Sequence, residues 1–91
     1  MDPADFEQLR LSLLRFLDAN PTGYGLTTAV LTQMARSEGR PGLQAGIVKS
    51  ELTYLQDKGF VTTVQKSISP DIKAWRITAN GRDEYARICG T

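Results

Sequence analysis

The sequence predicts a mainly α domain with one β-hairpin (α+β), its elements in the order helix, helix, helix, hairpin, helix. Three observations carry this. Apolar residues recur at helical spacing in separate segments. Two neighbouring stretches, Phe60-Val61-Thr62-Thr63-Val64-Gln65 and Ile72-Lys73-Ala74-Trp75-Arg76-Ile77, are rich in β-branched and aromatic residues. Turn signals at residues 20–23, 39–42, 59, 67–71 and 90 separate five segments and leave no linker long enough to divide the chain. Residues 1–91 therefore read as one domain.

The first segment, Pro3 to Ala19, opens with a proline suited to a first helical turn and an aspartate, Asp2, able to cap it. Phe6, Leu9, Leu13, Phe16 and Leu17 form one arc of about 100°. Leu11 and Leu14 fall outside that arc, among Glu7, Arg15 and Asp18, as a second, smaller apolar stripe. Before the second segment, Tyr24, Gly25 and Leu26 suit a short strand or turn. The second segment, Thr27 to Ser37, can be capped by Thr27 or Thr28 and offers Val30, Leu31 and Met34 as its buried side.

The third segment, Leu43 to Lys58, ends at Gly59, a residue suited to a helix C-cap. Val48, Leu52 and Leu55 form its main stripe, with Leu43, Ile47 and Tyr54 alongside. Its opposite face carries Ala45, Gly46, Lys49, Ser50, Thr53 and Gln56, small or polar and free of acid until Asp57. The preceding turn, residues 40–44, lacks a Ser or Thr cap. The hairpin that follows has a long loop, containing Lys66, that should project. Trp75 and Ile77 share a strand face and are expected in the core. The last segment starts at Thr78, a good N-cap, and runs to about Ile88, with Gly81, Tyr85 and Ile88 on one face.

Composition narrows the function classes. Apolar residues at 41% can build a core, yet a chain of 91 residues buries too little surface for a generous margin of stability, so association with a second copy would help. Histidine is absent and cysteine occurs once, at Cys89. The common zinc sites, a disulfide framework and Ser-His-Asp or Cys-His nucleophiles are excluded, and neither catalysis nor a cofactor is expected. No apolar run approaches about 18 residues, and the acidic N-terminus lacks the basic and apolar regions of a signal peptide, so a cytoplasmic location is expected.

Charge is unevenly placed. Residues 36–76 hold seven basic and four acidic side chains, a net +3, whereas the remainder nets −2. A helix-turn-helix followed at once by a two-stranded wing is the winged-helix arrangement, and the basic excess lies in those elements.

Two stretches strengthen this. Val48 to Val61 resembles the pattern V-x3-L-x2-L-x3-G, then Leu or Phe, then Val or Ile, that ends the recognition helix and enters the wing in MarR-, PadR- and ArsR-like regulators. Ile77-Thr78-Ala79-Asn80-Gly81-Arg82 resembles the segment after the wing in many MarR and PadR proteins. The whole chain also resembles small winged-helix proteins of Mu-like phages and prophages. The matching residues include Leu13 to Leu17, Tyr24-Gly25-Leu26, Leu31, Leu52 to Gly59, and Trp75, Thr78, Gly81-Arg82-Asp83.

The resemblance implies binding of double-stranded DNA, with the third helix in the major groove and the wing on phosphate. The residues expected to do so are Arg40 and Gln44 at the entry to the third helix, Lys49, Ser50 and Thr53 on its outward face, and Lys66 and Lys73 on the wing. By residue type alone the Lys49, Ser50 and Thr53 face also suits plain solvation, and wing charges also suit protection of a sheet edge. Glu51 is expected to pair with an arginine of another helix. A homodimer is expected to bury Leu11, Leu14, Tyr85 and Ile88 and to double a thin set of phosphate contacts. Two other readings remain: a non-catalytic protein-interaction module in phage DNA packaging or assembly, and a regulator with an effector beside the first helix.

Overall fold

The computed structural model describes residues 2–20, 25–65 and 73–90. Within them the elements follow in the order α1 (Pro3–Asp18), β1 (Leu26–Thr27), α2 (Thr28–Ser37), α3 (Ala45–Asp57), β2 (Val61–Gln65), β3 (Lys73–Ile77) and α4 (Ala79–Cys89). The expectations placed on Tyr24, Lys66 and the hairpin loop lie outside the described residues.

Local chemistry explains the helix boundaries. Pro3 opens α1, and the Asp5 carboxylate accepts the Asp2 N–H at 3.3 Å. Thr27 caps α2, its hydroxyl accepting from the Val30 N–H at 3.3 Å. Gln44 stands at the N-cap of α3 without a side-chain cap bond. The turn before it is held instead by Arg36, whose Nε donates to the Leu43 carbonyl at 2.7 Å. Past the end of α3, Gly59 takes φ +81°, and its N–H reaches the Gln56 carbonyl. Thr78 does two things at the start of α4: its hydroxyl accepts from the Gly81 N–H at 3.0 Å and donates to the Gly59 carbonyl at 2.6 Å.

The strands form one antiparallel sheet in the order β1-β3-β2. Thr63 lies opposite Trp75, Val61 opposite Ile77, and Leu26 opposite Trp75 on the other side of β3. Gly25 enters β1 at φ +72°, where a Cβ would stand 2.6 Å from the Trp75 carbonyl oxygen. Only glycine permits that approach.

The core runs from Leu9, Leu13 and Leu17 of α1 through Leu31 and Ala35 of α2 to Val48, Leu52 and Leu55 of α3, closed by Val61, Trp75 and Ile77. Three expectations are corrected. Leu14 is not left outside the core but is 2% exposed, because α4 packs on α1 along with α2, α3 and β3, and the buried arc of α1 is wider than about 100°. Phe6, in the first turn, is only half-buried. On α2, Val30 is 44% exposed while Thr32 and Ala35 are buried, so the helix is rotated from the expected Val30, Leu31, Met34 side. Thr32 tolerates burial because its hydroxyl donates to the Thr28 carbonyl at 2.7 Å.

Candidate nucleic-acid interface

The outward face of α3 follows from the burial of Val48, Leu52 and Leu55 on the other side. Ala45, Gly46, Lys49, Ser50, Thr53 and Gln56 are all exposed. At 100° per residue, Lys49, Thr53 and Gln56 lie within a narrow sector. They form one wall of a cleft of about 430 Å³. Thr28 of α2 joins them, and Thr63, Lys73 and Trp75 of the hairpin form the facing wall. Lys73 shares a strand face with Trp75 and Ile77 but lies beyond the core, exposed, where it overhangs the cleft.

The cleft thus has a lysine on each wall and, among the described residues, no carboxylate in its lining. Its floor is rigid. Trp75 is 5% exposed, and its Nε1–H donates to the Thr28 hydroxyl at 3.0 Å. The Thr53 hydroxyl donates back to the Lys49 carbonyl at 2.9 Å.

Of the residues expected to contact DNA, Lys49, Thr53 and Lys73 come together here. Ser50 is exposed on the same helix but turned about 100° from Lys49. Gln44 is exposed at the N-cap. Arg40 is half-buried in a separate depression of about 480 Å³ beside Asp5, Gln8 and Glu38. Lys66 lies outside the described residues.

Four cleft residues were not among those expected to contact DNA, and one of them, Trp75, is also the core residue it was expected to be. Gln56 carried a legible signal, standing seven residues after Lys49 and three after Thr53. Thr63 follows from strand alternation once the pairing with Trp75 is known. Thr28 carried none, because its place depends on a contact 47 residues along the chain.

No family model matches the chain, and no curated protein matches it. Solved structures do. A PadR-like transcriptional regulator from Bacillus cereus superimposes with a TM-score of 0.74 at 16% identity, over 92% of this chain and 80% of that one. A PadR-like transcription factor from Bacteroides fragilis gives 0.74 at 16% identity, over 96% and 82%. A mutant MarR from E. coli gives 0.68 at 14% identity, over 90% of this chain and 56% of that one. Some neighbours are about twice as long: the chain spans 49% of Lactococcus lactis ZitR.

The fold is a winged helix.

In this winged helix a second groove, of about 540 Å³, lies on another face, between α1, the end of α3 and α4. Leu11, Leu14, Leu55, Phe60 and Ile88 give it an apolar lining. Leu11 is half-buried, and Ile88 is 50% exposed. Tyr85, expected at a dimer surface, is half-buried and packs against the core. Desolvation pushes its phenol above the ordinary range, and the nearby Cys89 thiol adds to this. On the groove rim, a hydrogen bond from Arg87 holds the Glu84 carboxyl below its usual value and raises Arg87 in return.

Arg10, also on the rim, pairs through Nε with Glu51, and its guanidinium lies 4.0 Å from the Tyr54 ring centroid. This is the interhelical arginine partner expected for Glu51. Among the described residues, no group of three or more His, Cys, Asp or Glu could hold a metal ion. No described helix is long and apolar enough to cross a membrane.

Proposed function

We propose that this winged helix binds double-stranded DNA as a homodimeric transcriptional regulator encoded by a phage or prophage, or as an accessory of DNA packaging. One observation carries the DNA reading: a cleft between the third helix and the wing with Lys49 and Lys73 on facing walls and, among the described residues, no acid in its lining. Phosphates bind where cations face each other without a competing carboxylate. Lys49, Ser50 and Thr53 would meet the major groove, with Gln44 at the helix entry, and Lys66 and Lys73 the backbone. Arg40 would reach phosphate past the end of the turn. Support for a regulatory role comes from the regulators that share the fold, and for the phage setting from the resemblance to proteins of Mu-like phages.

The test is titration of random duplex DNA at two salt concentrations. Binding that weakens steeply as salt rises is the expected result, because bound lysines release counterions. Absence of binding at low salt would remove the reading.

A second reading has one observation in its favour. On α2, Val30 and Met34 lie in a stripe with Ala29, Gln33 and Ser37 that carries no charge. Such a face suits a protein partner, and a non-catalytic interaction module in phage packaging or assembly would use it.

A further inference from the structure

We propose that Thr28 is a phosphate ligand: its hydroxyl, positioned by the Trp75 indole, donates to one backbone phosphate of duplex DNA seated between Lys49 and Lys73. The inference rests on the DNA-binding reading above and names a contact that reading does not need.

A threonine at the start of a helix ordinarily caps it. Here Thr27 has that role, with its hydroxyl on the Val30 N–H. The Thr28 hydroxyl is left for something else. It accepts from Trp75 Nε1 at 3.0 Å. A hydroxyl is both donor and acceptor, so an oxygen that accepts from the indole keeps its own hydrogen to donate. Thr28 is half-buried on the cleft wall, and the cleft is open beside it.

The surroundings suit a phosphate oxygen. Lys49 and Lys73 line the same cleft from α3 and β3, and among the described residues no carboxylate does. A neutral hydroxyl flanked by two ammonium groups makes charge-assisted hydrogen bonds to a doubly accepting anion. The threonine hydroxyl that α3 brings to the cleft, on Thr53, is already donated to the Lys49 carbonyl.

Thr28 is also held still. Leu26, two residues before it, pairs with Trp75 in the sheet, and Gly25 admits the Trp75 carbonyl where a Cβ would stand 2.6 Å away. Backbone pairing, a glycine contact and the indole bond all fix the start of α2 to the same residue of β3. The donor is therefore in place before DNA arrives, and little ordering is lost on binding.

The experiment is a double-mutant cycle on full-length protein and two unrelated random duplexes. Trp75 is the only tryptophan in the chain, so its fluorescence reads binding directly. Thr28→Val should weaken binding roughly tenfold on both duplexes, the scale of a hydrogen bond to a charged group. The salt slope should not change, since no charge is removed. Thr28→Ser should bind within about twofold of the parent, because it keeps the hydroxyl. In a Lys73→Met background the Thr28→Val effect should shrink to less than about threefold, since both residues hold one phosphate.

Thermal midpoints of the free proteins check folding, and Thr28→Ala replaces Thr28→Val if the latter melts early. Parent protein that fails to bind any duplex overturns the DNA reading itself. Parent that binds while Thr28→Val binds equally overturns only the Thr28 assignment. So do effects of Thr28→Val and Lys73→Met that multiply in full, which would mean that Thr28 acts through the fold.

Discussion

Arg10 on α1 donates through Nε to Glu51 on α3, joining the helix of the apolar groove to the helix that faces the cleft. The Glu51 side chain is only 9% exposed, while that of Arg10 is 29% exposed. A buried carboxylate that loses its partner is left with desolvation and no compensation. Arg10→Ala should therefore lower stability by about 1–3 kcal/mol, and adding Glu51→Gln should recover part of the loss. Urea unfolding of the parent, the single variant and the pair checks this. A double variant as unstable as Arg10→Ala would show that the loss came from packing on Tyr54 instead.

Gly81, in the first turn of α4, packs against the backbone that leads from α3 into β2. A Cβ there would stand 2.0 Å from the Phe60 carbonyl oxygen and 2.7 Å from Ile77. The oxygen belongs to backbone that also accepts the Thr78 N–H at 3.0 Å, so it has little freedom to move. Gly81→Ala should cost at least about 2 kcal/mol by overpacking. In a domain of this size each kcal/mol lowers the midpoint by about 4–8 °C. An unchanged thermal midpoint would contradict the packing.

Lys49→Glu should reduce affinity for duplex DNA by at least about 1 kcal/mol. Lys49 is exposed, so the variant should melt like the parent. Equal binding by the variant would rule out α3 as the helix that enters the groove.

Replacing Lys66 and Lys73 together by alanine should weaken binding on every sequence alike. It should also flatten the salt dependence by about one unit of slope for each phosphate that is no longer neutralised. Lys73 overhangs the cleft. A changed preference among sequences, with the slope intact, would mean that the wing reads base edges.

Much of the fold was legible because it rests on short-range signals. The stripe of Val48, Leu52 and Leu55 is a local period, and all three are core. Thr78 as a cap and Gly59 at a positive φ are decided within a few residues. Trp75 and Ile77 followed from strand alternation. What was not legible depends on which surfaces meet. Leu14 looked spare because one α1 arc seemed enough, yet α4 covers that side too. The rotation of α2 that exposes Val30 depends on its neighbours. Glu51 announced an arginine partner but not which, since Arg10 is 41 residues away. Thr28 reached the cleft by the same kind of distant contact.

The dimer prediction changes with the burial of Leu14. That residue now forms the inner lining of the groove between α1 and α4, while Leu11 is half-buried and Ile88 half-exposed at its mouth. The rim carries both signs, with Arg10, Glu7 and Glu84 in the same lining. Such a rim can meet its own copy across a two-fold axis, acid against base, over an apolar centre. A small domain gains most from covering such a surface. A dimer would also present two third helices to half-sites about one helical turn apart, which offsets a net charge of only +1. Sedimentation at micromolar concentration should therefore give about 20 kDa, twice the 10.0 kDa chain. Leu11→Glu with Ile88→Glu should halve that mass while leaving the thermal transition cooperative, because neither residue is fully buried. Leu14→Glu should instead unfold the protein, since it places a charge in the core. A parent that sediments as a monomer removes the homodimer. A double variant that remains a dimer moves the interface to another face, with the uncharged stripe of Val30 and Met34 the next to be tested.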